Sequence, residues 1–317
     1  MKKGLSLLLV LVLTLSMGLL SAHGEVTVAA EPPYKIAYLS AQLNHSYFAT
    51  LANGLKQRAD ELGNIVLSVH DANNDPVAML NAMENYIADG YNAIIINPLD
   101  GNQLEEATVK AKAKGIVVIS HAQPVPGATL NYVLDEYAYG WAGGIQAGKW
   151  IAEKLNGEAE VAILTTSNIK ELQQRAQGIQ EGILSLAPNA KIVAVQPGNY
   201  VEIGLKATES ILQAHPNVKV IASVNDAGAL GAYEAVSAAG KITEDFFIGG
   251  LDATQEALDK MVEEGSIFRT TVNIYPFNNG IELIDFAVEG IKNGGKLPKD
   301  YIQIPMLPVT QEELRNK

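Results

Sequence analysis

Several apolar runs of this chain end abruptly on residues that can do chemistry. Ile116–Ile119 is followed by Ser120 and His121, and Ala93–Ile96 by Asn97. Val218–Ala222 leads to Asn225 and Asp226, and Phe246–Gly250 to Asp252. Imidazole and carboxamide groups both donate and accept hydrogen bonds, and a carboxylate accepts several. Brought together, such groups could grip a molecule dense in hydroxyls. Alternatively, His121 and Asp252 could serve a secreted α/β hydrolase or isomerase. The chain has no G-x-S-x-G, H-E-x-x-H, P-loop or G-x-G-x-x-G motif, and its five histidines are scattered. No nucleophile, base and orienter can be assembled, so binding is the stronger reading and no catalytic residue is assigned.

Each of these residues also has a plain structural use. Asn97 precedes Pro98 and could simply shape a turn, Asn225 and Asp226 could cap a helix, and His121 could be a satisfied strand-end residue. What favours a ligand is that polar residues recur at matching places in the two halves of the chain. Aromatic residues do the same: Tyr47 and Phe48 follow the first apolar run, and Tyr200 follows a later one. Rings at both lips of a cleft suit a ligand with apolar faces and polar edges, such as a sugar. The stretch "DANNDP" (Asp71–Pro76) has the acidic alternation of a calcium loop. It lacks the glycine at the sixth place and the glutamate at the twelfth, so a turn and helix cap are expected and no metal.

The elements that must position these residues follow from periodicity. Short apolar runs at Lys35–Leu39, Ile65–Val69, Ala93–Ile96 and Ile116–Ile119 alternate with stretches of helical spacing, such as Phe48, Leu51, Leu55, Ala59 and Leu62. The pattern repeats with runs at Glu160–Leu164, Lys191–Val195, Val218–Ala222 and Phe246–Gly250. Alternating strands and helices argue for parallel sheets covered on both faces. A further strand (Ile267–Asn273), a helix through Ile281, Ile284, Val288 and Ile291, and an extended stretch (Tyr301–Val309) should return to one lobe and then the other. In open parallel sheets ligands bind beyond the carboxyl ends of the strands, where the polar residues stand.

Composition narrows the class. The chain has 317 residues and a net charge of −12, which disfavours nucleic acid and anionic membrane surfaces as partners. "MKK" followed by the apolar Leu5–Leu20 and small residues reads as a signal peptide within residues 1–30, cut after residue 24 or 30. There is no cysteine, hence neither disulfide nor a thiol for lipid anchoring. A bacterial periplasm is expected.

The stretches "AYLSAQLNHSYFATLANGLKQRADELG", "IINPLDG", "VNDAGALGAYEAV" and "GLDAT", in this order and spacing, resemble the type I periplasmic binding proteins. The resemblance is to the ribose-binding-like group serving sugar importers of the ATP-binding cassette class, and it spans about Tyr34 to Val309. It implies two Rossmann-like, doubly wound parallel-sheet lobes joined by a three-crossover hinge. The expected first lobe is 34–135 plus 275–304 and the second 136–274 plus 305–317. It implies hinge closure on one ligand, an inner-membrane permease as partner, a monomer, and no cofactor or enzymatic step. A chemoreceptor or sensor kinase as recipient is the alternative. Carried over by residue, the ligand-binding set is His45, Tyr47, Phe48, Asn97, Tyr200, Asn225 and Asp252. The departures are His121-Ala122 in place of Asp-Arg, Gln173 in place of an arginine with Arg175 retained two places on, and Ile274 with neighbouring Asn273 in place of a glutamine. They point to a polyol, deoxysugar or other less hydroxylated ligand. A ligand-bound His121 of ordinary pKa would lose affinity between about pH 7 and pH 5, because protonation removes its acceptor.

Overall fold

The computed structural model describes residues 32–166 and 170–316. The expected signal peptide and both candidate cleavage positions lie outside the described residues. The chain runs β1 (Tyr34–Ser40), α1 (Ser46–Leu62), β2 (Ile65–Asp71), α2 (Pro76–Ala88), β3 (Ala93–Ile96), α3 (Glu105–Ala113), β4 (Val117–Ala122) and β5 (Leu130–Val133). It continues through α4 (Glu136–Lys154), β6 (Glu160–Thr165), α5 (Lys170–Leu186), β7 (Lys191–Pro197), α6 (Val201–Ala214), β8 (Val218–Ser223), α7 (Asp226–Ala238), β9 (Phe247–Gly249), α8 (Gln255–Val262) and β10 (Phe268–Asn273). Then come α9 (Pro276–Lys292), β11 (Tyr301–Gln303), β12 (Leu307–Thr310) and α10 (Gln311–Arg315).

The strands form two six-stranded sheets of the same plan, β11-β5-β4-β3-β1-β2 and β12-β10-β9-β8-β6-β7. Pairing is parallel throughout, except that β12 runs antiparallel to β10. The exception follows from where the chain re-enters the sheet: shortly after β11, β12 starts with Leu307 beside Asn273, at the carboxyl end of β10, and runs back along it. Central strands are buried on both faces, which is why they read as unbroken Ile and Val runs. Edge strands β2 and β7 alternate and leave Val66, Val69 and Val195 exposed.

The chain passes between the sheets after β5, after β10 and after β11. Leu134, Ile274 and Ile304 stand at these crossings, and all three are buried in one hydrophobic cluster that also holds Ile36 of the first sheet and Val161 of the second. Strand β5 is the element that periodicity misses. It has four residues and one of them is Asn131, whose Oδ1 accepts from Ser120 Oγ (2.6 Å) and the Val125 N–H (2.8 Å). A polar residue used to pin the preceding loop breaks the apolar run. In "DANNDP", Asp75 caps α2 by accepting from Val77 N and Ala78 N, and Asp71 accepts from Asn73 N. Both carboxylates shape the backbone there.

Candidate functional site

The polar strand ends of the two sheets converge on one cavity of about 120 Å³ between the lobes. Four backbone positions in or beside its wall are unusual. Ala122 at the end of β4 has φ 67°, and Asp252 and Ala253 after β9 have φ 114° and 52°. Tyr275, just past the second crossing, has φ 56°. Non-glycine residues held at positive φ cost about 1–3 kcal/mol each and persist only where surrounding structure enforces them. Asp252 is enforced by its N–H donating to the Val272 carbonyl (2.9 Å) and by a bridge to Asn273.

In the first lobe a hydrogen-bond chain runs through the end of β4. The Tyr38 hydroxyl donates to Asn97 Oδ1 (2.5 Å), and Asn97 Nδ2 donates to the His121 carbonyl (3.2 Å). These two contacts orient the amide, so Nδ2 also donates to His121 Nδ1 at 2.9 Å. On the other side, Asn279 Nδ2 donates to the Ile274 carbonyl (2.7 Å) and lies 3.4 Å from His121 Nε2. Both ring nitrogens therefore face amide N–H groups. A neutral imidazole accepts at one nitrogen only, and the distances place the lone pair on Nδ1 and the proton on Nε2. Full burial, with no acceptor for a second proton, pushes His121 down to about 3. The expected contribution of His121 to an affinity loss between pH 7 and pH 5 is thus corrected: the ring stays neutral throughout that range.

In the second lobe the central charge is Arg175. Its Nε donates to Glu136 Oε2 (2.6 Å), its Nη1 to the Val224 carbonyl (2.8 Å), and its guanidinium lies 4.7 Å from the Tyr139 ring centroid. Gln123 Nε2, from the first lobe, donates to the other Glu136 oxygen (2.6 Å). Gly140 makes this possible: a Cβ there would stand 1.9 Å from the Arg175 carbonyl oxygen, so only glycine lets α4 and α5 approach. Asp252 accepts from the Tyr139 hydroxyl at Oδ1 (3.0 Å). Burial pushes Asp252 up to about 7, against the opposing pull of Arg175 and the Tyr139 bond. Neighbouring Asp226 is raised by burial and by Asp252.

Two further sets of bonds join the lobes directly. Asn225 caps α7 by accepting from Gly228 N at Oδ1 (2.9 Å), while its Nδ2 donates to the Asn199 carbonyl (2.8 Å) and lies 3.1 Å from His45 Nε2. At the lip, the Tyr200 hydroxyl donates to Gln42 Oε1 (2.8 Å) and accepts from Asn74 Nδ2 (3.0 Å). Burial, and then the charge of Arg175, lower His45 to about 4. Tyr47 packs edge-on against Phe48, with ring centroids 5.2 Å apart, and its ring lies within 16° of parallel to His121 at 6.2 Å.

Of the residues picked out by sequence, His45, Tyr47, Phe48, Asn97, His121, Tyr200, Asn225 and Asp252 line the cavity. Two do not. Gln173 is exposed, because on α5 it is Leu172 and Arg175 that face inward. Asn273 turns its Oδ1 to the Tyr275 N–H (2.6 Å), supporting the left-handed turn, and the buried Ile274 reaches the cavity instead. Sequence reasoning missed Glu136, Leu172, Leu134 and Asn199. Glu136 reads as an ordinary acidic residue in a first helical turn. Only its packing against Arg175 reveals it.

A family model described as a periplasmic binding protein domain matches residues 36–296. The ribose import binding protein of Escherichia coli (strain K12) is 30% identical over 285 residues, covering 87% of this chain and 93% of that protein. The D-apiose import binding protein of Actinobacillus succinogenes is 30% identical over 290 residues, covering 89% and 90%. Among solved structures, an ABC transporter periplasmic solute binding protein from Actinobacillus succinogenes 130z with bound D-allose aligns with a TM-score of 0.79 and 26% identity, covering 90% of this chain and 100% of that one. A Mycobacterium smegmatis structure in complex with β-D-fucofuranose aligns with a TM-score of 0.79 and 25% identity, covering 89% and 93%.

Proposed function

The chain belongs to the periplasmic binding protein family, and from that premise we propose that it captures a sugar-like small molecule for an ATP-binding cassette importer by closing its lobes around it. The observation that carries this reading is the cavity whose wall is drawn from both sheets. A ligand touching Asn97 and Tyr47 on one side and Asp252 and Arg175 on the other meets all of them only in the closed state. Its differential affinity for that state shifts the population toward closure. In this role the Asp252 carboxylate accepts from ligand hydroxyls and Arg175 donates to ligand oxygens. Tyr47 and Phe48 present faces to ring C–H groups, and Tyr200 shuts the lip. His121 holds the wall through Asn97. No chemical step is assigned. In this reading the apolar pattern of residues 1–30 acts as an export leader, and the exported protein visits an inner-membrane permease as a monomer.

The test is a thermal-shift screen across sugars and polyols followed by titration calorimetry, since a ligand that binds only the native state raises the melting temperature. At least one compound should bind. Asp252→Ala should weaken it by about 1–3 kcal/mol, because a ligand hydroxyl is left unpaired in the closed cavity. If no sugar or polyol shifts the melting temperature, the reading fails.

A further inference from the structure

The polar side chains around the cavity are largely committed to one another. Asn97 uses its oxygen on Tyr38 and its nitrogen on His121. Asn225 uses its oxygen on the α7 N-terminus and its nitrogen on Asn199 and His45. Gln123 is bound to Glu136 by its nitrogen, and Asn74 and Tyr200 are joined at the lip. Among the described residues that line the cavity, three groups with unmet capacity carry a charge or are fully buried. The Tyr47 hydroxyl is buried without a partner. Asp252 has a partner on only one carboxylate oxygen, and Arg175 uses only two of its five N–H groups. All three residues line the one cavity.

The hinge side of the cavity has the opposite character. Ala122, Leu134 and Ile274 line it there. The Leu134 N–H donates to the Ala122 carbonyl (3.0 Å), which places the first crossing against the end of β4. The Ile274 carbonyl is held by Asn279, the residue beside His121. Leu99 and Leu172 add further apolar wall. The side chains of Ala122, Leu134 and Ile274 offer a hydroxyl no donor or acceptor, whereas a methyl group set against them would be in contact with apolar atoms.

We infer that the ligand is an amphipathic, deoxygenated sugar-like molecule, with a few hydroxyls gripped by Tyr47, Asp252 and Arg175 and a methyl or other apolar end seated on Ala122, Leu134 and Ile274. This inference rests on the capture function proposed above and narrows its substrate class.

Matched pairs test it: D-ribose with 5-deoxy-D-ribose, D-galactose with D-fucose, and L-mannose with L-rhamnose, each titrated calorimetrically into the mature protein. In the pair whose stereochemistry fits, the deoxy member should bind at least ten-fold more tightly than its parent. Ile274→Gln should narrow that ratio to about three-fold or less, with melting temperature measured on the same sample. Should that variant fail to fold, the ratio on the unaltered protein still decides. Parents that bind as tightly as their deoxy partners overturn the substrate class and leave capture of sugars standing. If no member of any pair binds, and the wider sugar and polyol screen is also silent, the capture reading itself falls.

Discussion

Replacing His121 by asparagine should remove a pH dependence of stability that the native fold creates. In the folded protein burial between two amide N–H groups holds His121 at about 3, whereas in an unfolded chain a histidine titrates near about 6.5. Between those values the unfolded state binds a proton that the native state does not. Stability from this group is therefore fully present above about pH 6.5 and is lost as pH falls toward 3. At pH 5 the linkage amounts to about 2 kcal/mol, and at pH 7 to about 0.2 kcal/mol. The raised carboxyls Asp226 and Asp252 act in the opposite direction over part of this range. The measurement must therefore be a difference. Urea unfolding of the parent and His121→Asn at pH 7 and at pH 5 should show the parent losing about 2 kcal/mol more than the variant. Ligand affinity should carry no His121-dependent slope over the same range, since the ring is neutral in both free and bound protein. Parallel stability changes in the two proteins would refute the placement of the ring between Asn97 and Asn279.

Other perturbations probe the second lobe and the lip. If ligand hydroxyls donate to an ionised Asp252, whose free-state pKa is about 7, binding below that pH must expel a proton, and affinity should fall roughly ten-fold per pH unit. Calorimetry at pH 8 and pH 6, in buffers of different ionisation enthalpy, should register the released proton; equal affinities would show that Asp252 does not meet the ligand as a carboxylate. Gly140→Ala puts a methyl where the Arg175 carbonyl stands 1.9 Å away, so α4 and α5 must separate. Stability should drop by about 1–3 kcal/mol in chemical denaturation, and an unchanged midpoint would contradict the packing. Tyr200→Phe removes the lip bonds to Gln42 and Asn74, at a net cost of about 1 kcal/mol. Stopped-flow displacement should then find release about five-fold faster, and an unaltered off-rate would mean that the lip bonds do not hold the closed state.

Much of the architecture is legible in the order of residues. A parallel strand covered on both faces must be apolar throughout, so β1, β3, β4, β6 and β8 announce themselves. The residues that end them are placed by chain connectivity at one edge of each sheet, which is why eight of the positions picked from sequence reach the cavity. Where the reading slipped, the cause is direction. Gln173 and Leu172 are neighbours on one helix, and Asn273 and Ile274 are neighbours on one strand end. Periodicity could not say which of each pair turns inward, because that depends on how α5 packs on α4 and how the left-handed turn at Tyr275 is closed.

The sequence by itself determined the two-lobe α/β plan, the polar strand ends and the loss of a charged pair at His121-Ala122, because each depends on local pattern or residue type. The hydrogen-bond commitments of those polar groups were decided only in the tertiary structure. His121 lies between an asparagine 24 residues before it and another 158 residues after it. Arg175 answers to a glutamate 39 residues earlier and a carbonyl 49 residues later. A side chain's partners depend on distances that the folded backbone imposes, and burial then sets its protonation. What remains free to meet a ligand is thus a property of the assembled cavity, whose wall combines Tyr47, Asp252 and Arg175 with the apolar Leu134 and Ile274 of the crossings.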